Sequence, residues 1–386
     1  GLAVTTIAAF ASTGSTKLNA TLVPTVPGDE VAALRGLDLQ PGNVLLVGER
    51  LALVPGALAA AAEVAAAAGA RIAWVPRRAG DRGAVEAGCL PGLLPGGRPV
   101  ADSAARVDVA AAWEREALPV EDGLDATAML AAAASGDLAA LVVAGLEPAD
   151  FADAAGVRAG LENAGFVVAL ENRMSEVTER ADVVFPVALI EERSGTFLNW
   201  EHRPGRVNTV VRQANAPMTD LRVLAALADG LGRPLGVRTA KQALAELTEL
   251  GVWPAVAAPR ARGGRKPAAK LAKAPKVVDG EARVVLSTWR QLVDGGRGQD
   301  GEEALAATAR PSVARVSPAL AGALGIADGD QVAVGGGAGW YSLPAAITPG
   351  MAEGTVWVPT NSPGTPLGEL GLVHGNEVTL SLGGDE

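Results

Sequence analysis

The chain has a single cysteine, Cys89, in 386 residues. One thiol excludes an intrachain disulfide. It equally excludes an iron–sulfur cluster held by this chain alone, which takes about four thiolates. Histidines number two, His202 and His374, too few and too far apart to argue a metal site. Aromatics are 3% of the residues, so the core has to be built from Ala, Val and Leu, with helices packed close. No apolar run could span a bilayer. The longest uncharged stretch, Gln331 to Ala352, is broken by Gly335, Gly336, Gly337, Gly339, Pro344 and Pro349. No charged-then-apolar signal peptide opens the chain. The net charge is −10 and no basic cluster falls on a folded segment, which argues against nucleic acid as a partner.

Chemistry-bearing motifs are equally scarce. There is no P-loop, no G-x-S-x-G elbow and no pair of metal-binding histidines. Gly296-Arg297-Gly298-Gln299-Asp300-Gly301 matches G-x-G-x-x-G. It follows a helix-like Trp289 to Val293 rather than a strand, so it reads as a plain turn. That disfavours a generic nucleotide-binding domain. Cys89 reads as a small buried hydrophobe. No catalytic residue and no metal ligand is assigned.

What is present is a globular composition, 49% apolar against 20% charged, long enough for two or three domains. Residues 1–253 read as α/β. Asp29 to Leu34 is a helical turn and Asn43 to Gly48 a buried strand. Pro55 to Ala68 is a helix with Pro55 at its start and Gly69 just past its end. Arg71 to Pro76 is the next strand. Strand, helix and strand within about thirty residues form a βαβ unit, which predicts a parallel sheet. The Gly-, Pro- and Arg-rich segment Arg77 to Pro99 is a long loop of functional or interfacial type. A second unit starts near Trp113: helix Asp125 to Ser135, strand Leu138 to Gly145, helix Val157 to Ala164, strand Phe166 to Leu170. Helices Leu221 to Leu231 and Ala240 to Leu250 close the region. Residues 254–280 form a basic, Pro/Ala-rich linker with seven Lys or Arg and no acid between Arg260 and Lys276. It reads as a solvated spacer. Residues 281–386 are a separate β domain, with a strand, short helix, Asp328-Gly329 turn and strand across Val313 to Val334.

The most specific stretch is Asn172 to Arg203. Val183-Val184-Phe185 ends at Pro186 as a buried strand, and a polar loop with a Gly195 turn follows, the place where α/β sheets put ligands or partners. Ala181-Asp182-Val183-Val184-Phe185-Pro186 and Gly195-Thr196-Phe197-Leu198-Asn199-Trp200-Glu201-His202-Arg203 resemble a run found in molybdopterin-dependent oxidoreductases. The loop Gly83 to Gly96 is similar to one in formate dehydrogenase-like members. The pattern is most similar to the branch of the family found in the respiratory NADH–quinone oxidoreductase, complex I. The alternative is a fragment of an active member such as a formate dehydrogenase or nitrate reductase.

This resemblance implies an α/β fold with a doubly wound, mostly parallel sheet over residues 1–253. It also implies a six-stranded double-psi β-barrel over 281–386, like the family's dinucleotide-binding domain. A chain opening on Gly1 is then expected to be a fragment whose upstream part carries the iron–sulfur clusters. Gly145, Thr196, Asn199 and Arg203 are the candidates for a degenerate pterin-like site. Two features favour degeneracy: Glu147 stands where the family carries an asparagine, and Trp200 and Pro204 intrude. Thr196, Asn199, Glu201 and Arg203 are expected to stitch the loop to its own domain, while Glu179-Arg180 and Glu191-Glu192 are solvated charges. No cofactor is expected in this segment. The implied partners are other hydrophilic-arm subunits of complex I, on the cytoplasmic side of the bacterial inner membrane, without membrane insertion.

Overall fold

A computed structural model describes residues 2–213, 215–254, 275–299, 301–336, 339–362 and 367–383. Most of the linker, 255–274, lies outside the described residues. The chain divides into two compact units. The first gathers Gly1–Trp74, Pro148–Ala154 and Arg260–Glu386; the second gathers Val75–Glu147 and Ala155–Pro259.

The first unit begins with β1 (Thr5–Ala8), α1 (Thr13–Lys17), β2 (Thr21–Pro24), α2 (Glu30–Arg35), β3 (Val44–Gly48), α3 (Ala57–Ala68) and β4 (Arg71–Val75). β1 and β2 pair in parallel, and β3 pairs with β4. Nine of the twelve residues of α3 are alanine, the residue that gives up least on entering a helix. Ala57, Ala60 and Ala61 are buried against Val31, Leu34 and Val47. The absent aromatics are thus replaced by close packing of methyl groups. Gly69 ends the helix at φ 63°, a left-handed cap that favours glycine. Pro55 lies outside the helix: Gly56 is the residue before the first turn, at φ 80°, so the start falls two residues later than expected.

The second unit holds α4 (Asp81–Glu86), a small hairpin β5 (Leu93–Leu94) and β6 (Arg98–Pro99), α5 (Ser103–Ala112), α6 (Ala126–Ser135), β7 (Ala140–Ala144), α7 (Ala154–Asn163), β8 (Phe166–Glu171), α8 (Glu176–Arg180), β9 (Val183–Pro186), β10 (Gly195–Leu198), β11 (Pro204–Val207), α9 (Asp220–Gly230) and α10 (Ala240–Leu250). β7, β8 and β9 form a parallel sheet. Asp125 caps α6 by accepting from the Ala128 N–H at 2.8 Å, as its residue type predicts. The helix Ser103–Ala112 is an addition to the sequence reading; Asp102 caps it through the Ala104 N–H at 2.9 Å. At Gly160 of α7 an added Cβ would sit 2.6 Å from the Leu130 carbonyl oxygen of α6. Only glycine permits that approach.

Among the described residues the strands outside the barrel occur in short sheets, with β1–β2, β3–β4 and β7–β8–β9 each separate. Three expectations are corrected here. Gly195 is not a turn; it opens β10, paired antiparallel with β11 from Gly195↔Val207 to Leu198↔Pro204. Cys89 is exposed rather than buried, because Gly88 turns out of α4 at φ 84°. Arg180 is held rather than free, bonded to the Glu176 carbonyl at 2.8 Å and to Glu162 at 3.2 Å.

The barrel belongs to the first unit. Its elements are β12 (Val277–Val278), β13 (Glu281–Trp289), α11 (Glu303–Ala306), β14 (Ala314–Val316), α12 (Pro318–Leu324), β15 (Gln331–Gly336), β16 (Gly339–Ile347), β17 (Thr355–Pro359) and β18 (Glu377–Leu382). The order β13-β17-β14-β16-β15-β18 closes on itself through β13–β18 pairing, and β12 adds to β13. Closure leaves the six strands without a free edge. Alternate residues point inward: Ala282, Val284 and Leu286 of β13 meet Val332, Val334, Val378 and Leu380 in the core. Trp289 to Val293 is not helical: Trp289 ends β13 and bends follow, with Gly296 to Gln299 turning as expected; Asp300 lies outside the described residues. Three of the few aromatics stack at this point. Phe10 and Trp357 each pack on Trp289 with centroids 4.9 Å away, and the Arg50 guanidinium lies 4.3 Å from the Trp289 ring. Such contacts contribute about 0.5–1.5 kcal/mol per pair.

Candidate functional site

In the second unit, β7 runs into Gly145, left-handed at φ 61° and exposed. Glu147 follows and faces Arg173 at 3.9 Å. The hairpin β10–β11 carries the other three candidates. Asn199 sits at its tip, where its Oδ1 accepts the N–H groups of Glu201 (3.0 Å) and Arg203 (2.9 Å). That bridge holds His202 at φ 64°, a backbone state an ordinary residue adopts at a cost. The Arg203 guanidinium pairs with Glu201 at 3.4 Å and stays exposed. Thr196, half-buried, lines a cleft of about 460 Å³ with Arg193, Arg222, Arg238, Thr219 and Thr239. The first turns of α9 and α10 open on that cleft. Two of its guanidinium groups are already engaged, Arg193 by Asp220 and Arg238 by Asp229. Asn199 and Arg203 therefore share one turn and Thr196 a neighbouring cleft. Gly145 lies on a different sheet and outside that lining.

The loop 77–99 has a centre that was not legible. Arg98 is 3% exposed. Its guanidinium donates to Asp108 (2.7 Å), to the Pro95 and Gly251 carbonyls (3.0 and 2.9 Å) and to the Leu250 carbonyl (2.7 Å). It also lies 5.1 Å from the Trp253 ring centroid. Two of those acceptors end α10, so one buried cation fastens the loop to the closing carbonyls of a helix far along the chain. The sequence carries no signal for this beyond an arginine in a glycine-rich run.

In the first unit a cavity of about 520 Å³ is lined mostly by aliphatic side chains, with Glu30, Arg50, Ser287, His374 and three threonines as its polar members. His374 Nδ1 accepts the Thr288 N–H at 3.2 Å and its Nε2 lies 3.5 Å from Glu30. Burial, the largest influence, pulls the Arg50 pKa down, while Glu30 and Glu49 act the other way. The other histidine, His202, has Nε2 3.4 Å from Glu86. Among the described residues, no group of three or more His, Cys, Asp or Glu side chains is arranged to hold a metal ion. No helix there is long and apolar enough to cross a membrane.

The model of the molybdopterin oxidoreductase family matches residues 25–229, and that of the molydopterin dinucleotide binding domain matches 284–381. The chain belongs to the molybdopterin oxidoreductase family. Within that family it is 50% identical over 391 residues to the G subunit of the NADH-quinone oxidoreductase of Mycobacterium tuberculosis, across 98% of this chain and 47% of that protein. It is 44% identical over 402 residues to the corresponding G subunit of Streptomyces coelicolor, across 98% and 46%. Formate dehydrogenase H of Escherichia coli is more distant, 28% identical over 170 residues, covering 44% of this chain and 24% of that one. The chain spans about half the length of the NADH-quinone oxidoreductase proteins it matches.

The family implies a molybdopterin dinucleotide, a bulky group with a charged diphosphate. Asn199 and Arg203 do not make a cradle for it. The acceptor of Asn199 is turned on its own loop, and Arg203 is paired with Glu201. The cavity of the first unit does not fit a diphosphate: among the described residues Arg50 is the single arginine or lysine of its lining, and Glu30 lies in the same wall.

Proposed function

We propose that this chain is the C-terminal, molybdopterin oxidoreductase-like part of the G subunit of a respiratory NADH–quinone oxidoreductase, acting there as a non-catalytic scaffold. The observation that carries the reading is the alignment over 98% of the chain with proteins of that name at 44–50% identity. In this reading the parent complex passes electrons from NADH through iron–sulfur clusters, held upstream of this segment, to a quinone, coupled to proton translocation. This segment holds no cofactor. It supplies contact surface to other hydrophilic-arm subunits, peripherally on the cytoplasmic face of the bacterial membrane. A doubly wound α/β layer and a double-psi winding of the barrel belong to the same reading, supported by the parallel pairing of β7, β8 and β9 and by the six-strand closure.

The distribution of polar groups supports the non-catalytic role. Asn199 spends its side-chain acceptor on the hairpin tip and the Arg203 guanidinium is paired with Glu201, and a carrier of electrons needs ligands held by several side chains. The test is purification of the full-length protein from detergent-solubilised membranes, with metal analysis. The expected result is co-migration with NADH-oxidising, quinone-reducing activity and molybdenum far below one atom per chain. Stoichiometric molybdenum would replace the reading with that of an active molybdopterin oxidoreductase. Migration apart from NADH dehydrogenase activity would remove the assembly role.

A further inference from the structure

The cavity of the first unit has a polar end that the scaffold role does not use. Ser287 of β13 is fully buried, lines the cavity, and its Oγ has no hydrogen-bond partner among the described residues. A buried hydroxyl without a partner forfeits its hydration and gains nothing in return. A ligand oxygen or proton donor in the cavity would satisfy it. The charged groups and the imidazole beside it are already matched to one another. The Thr288 N–H is taken by His374 Nδ1, His374 Nε2 faces Glu30, and Glu30 also accepts the Gly28 N–H at 2.6 Å. Arg50 is stacked on Trp289 beside the Glu30 carboxylate. The rest of the wall is mostly aliphatic, with Ile7, Leu34, Leu45, Val47 and Leu51, beside Thr5 and Thr6 of β1 and Thr25, whose hydroxyl donates to the Val23 carbonyl at 2.9 Å.

The geometry points to a binding site for a small, uncharged, largely aliphatic molecule that carries one hydroxyl or carbonyl oxygen, seated with that oxygen on Ser287 Oγ. About 520 Å³ is within the range of small-molecule sites. The apolar wall supplies affinity in proportion to the area it removes from water. The buried Ser287 hydroxyl sets orientation. Charge is selected against: an anion would be brought beside Glu30, whose negative charge already offsets Arg50, and its desolvation would go uncompensated. The proposal stands apart from the complex I reading, because it rests on this wall alone.

The probe is n-octanol, titrated into the full chain and followed by calorimetry and by saturation-transfer NMR, with octanoate and octylamine alongside. The expected result is saturable binding at one site per chain, with octanoate and octylamine at least about tenfold weaker. Ser287→Ala is expected to weaken octanol binding about five- to tenfold, because one hydrogen bond is worth about 1 kcal/mol and each 1.4 kcal/mol is tenfold. Ser287→Thr keeps the hydroxyl and is expected to retain most of the affinity. Ile7→Phe, which fills the aliphatic wall, is expected to abolish binding. Far-UV circular dichroism establishes that each variant is folded. Absence of saturable octanol binding, equal affinity for octanoate, or unchanged affinity in folded Ser287→Ala each overturns the proposal.

Discussion

Tyr341 is the only tyrosine of the chain and lies in the barrel core, 8% exposed. Its Oη is buried with no hydrogen-bond partner among the described residues. Burial pushes its phenol above the ordinary tyrosine range. Tyr341→Phe removes that hydroxyl and nothing else. An unsatisfied buried hydroxyl costs about 1–3 kcal/mol, so the variant should be more stable by about 1 kcal/mol at pH 7, after allowance for partial relaxation in the wild type. The pH dependence has a defined sign. The folded pKa is raised, so the contribution of Tyr341 to stability is constant below the unfolded value of about 10. Above it, the unfolded chain releases the proton while the folded chain keeps it, and wild-type stability falls by up to about 1.4 kcal/mol per pH unit. The advantage of Tyr341→Phe should therefore widen from about 1 kcal/mol at pH 7 to about 2 kcal/mol at pH 11. Urea unfolding at both pH values measures it through the midpoint at unchanged slope. Absorbance at 295 nm follows the one tyrosinate directly. A loss of stability in the variant, or a tyrosinate midpoint near 10 in the folded protein, would refute the placement of this ring.

Three further predictions concern the second unit. Gly160→Ala forces a methyl to 2.6 Å from the Leu130 carbonyl and should cost about 1–3 kcal/mol despite its better helix propensity, read as a lower urea midpoint. Arg98→Ala should destabilise by about 3 kcal/mol, the low end for breaking a buried pair, since Asp108 is half-exposed and can be rehydrated. Arg98→Lys should recover part of that loss, with one point charge replacing a planar fork, and fluorescence of Trp253 reports both. Asn199→Ala removes two N–H contacts at the hairpin tip and should cost about 1 kcal/mol locally, seen as faster hydrogen exchange at 201–203 with an unchanged global midpoint.

The parts of the fold that were legible are those written in local chemistry. Asp125 before Ala126–Ser135, and Gly69 after Ala57–Ala68, mark helix ends because caps act within three or four residues. The strands Val44–Gly48 and Phe166–Glu171 stand out as apolar runs bounded by breakers. The helix Ser103–Ala112 was hidden because Asp102, Arg106 and Asp108 continue the polar, glycine-rich texture of the loop before it. Gly195 misled in the opposite direction: a glycine suggests a turn, yet here it pairs with Val207 in a two-stranded ribbon. Cys89 was assigned to the core on residue type, and the left-handed Gly88 turns it outward.

The candidate site was legible only as a location. Sequence order places Thr196, Asn199 and Arg203 on one strand-end segment, and the structure keeps them there. What local patterns cannot give is where each polar atom spends its hydrogen bonds. Arg98 meets carbonyls about 150 positions away, and His374 meets Glu30 from the opposite end of the chain. Those pairings decide function more than the motif does. They turn the hairpin tip into a self-satisfied bridge and leave Ser287, a residue with no motif around it, as an unpartnered buried hydroxyl that lines a cavity. In a chain so poor in aromatics and thiols, the few polar groups carried into the interior are where its chemistry has to be sought.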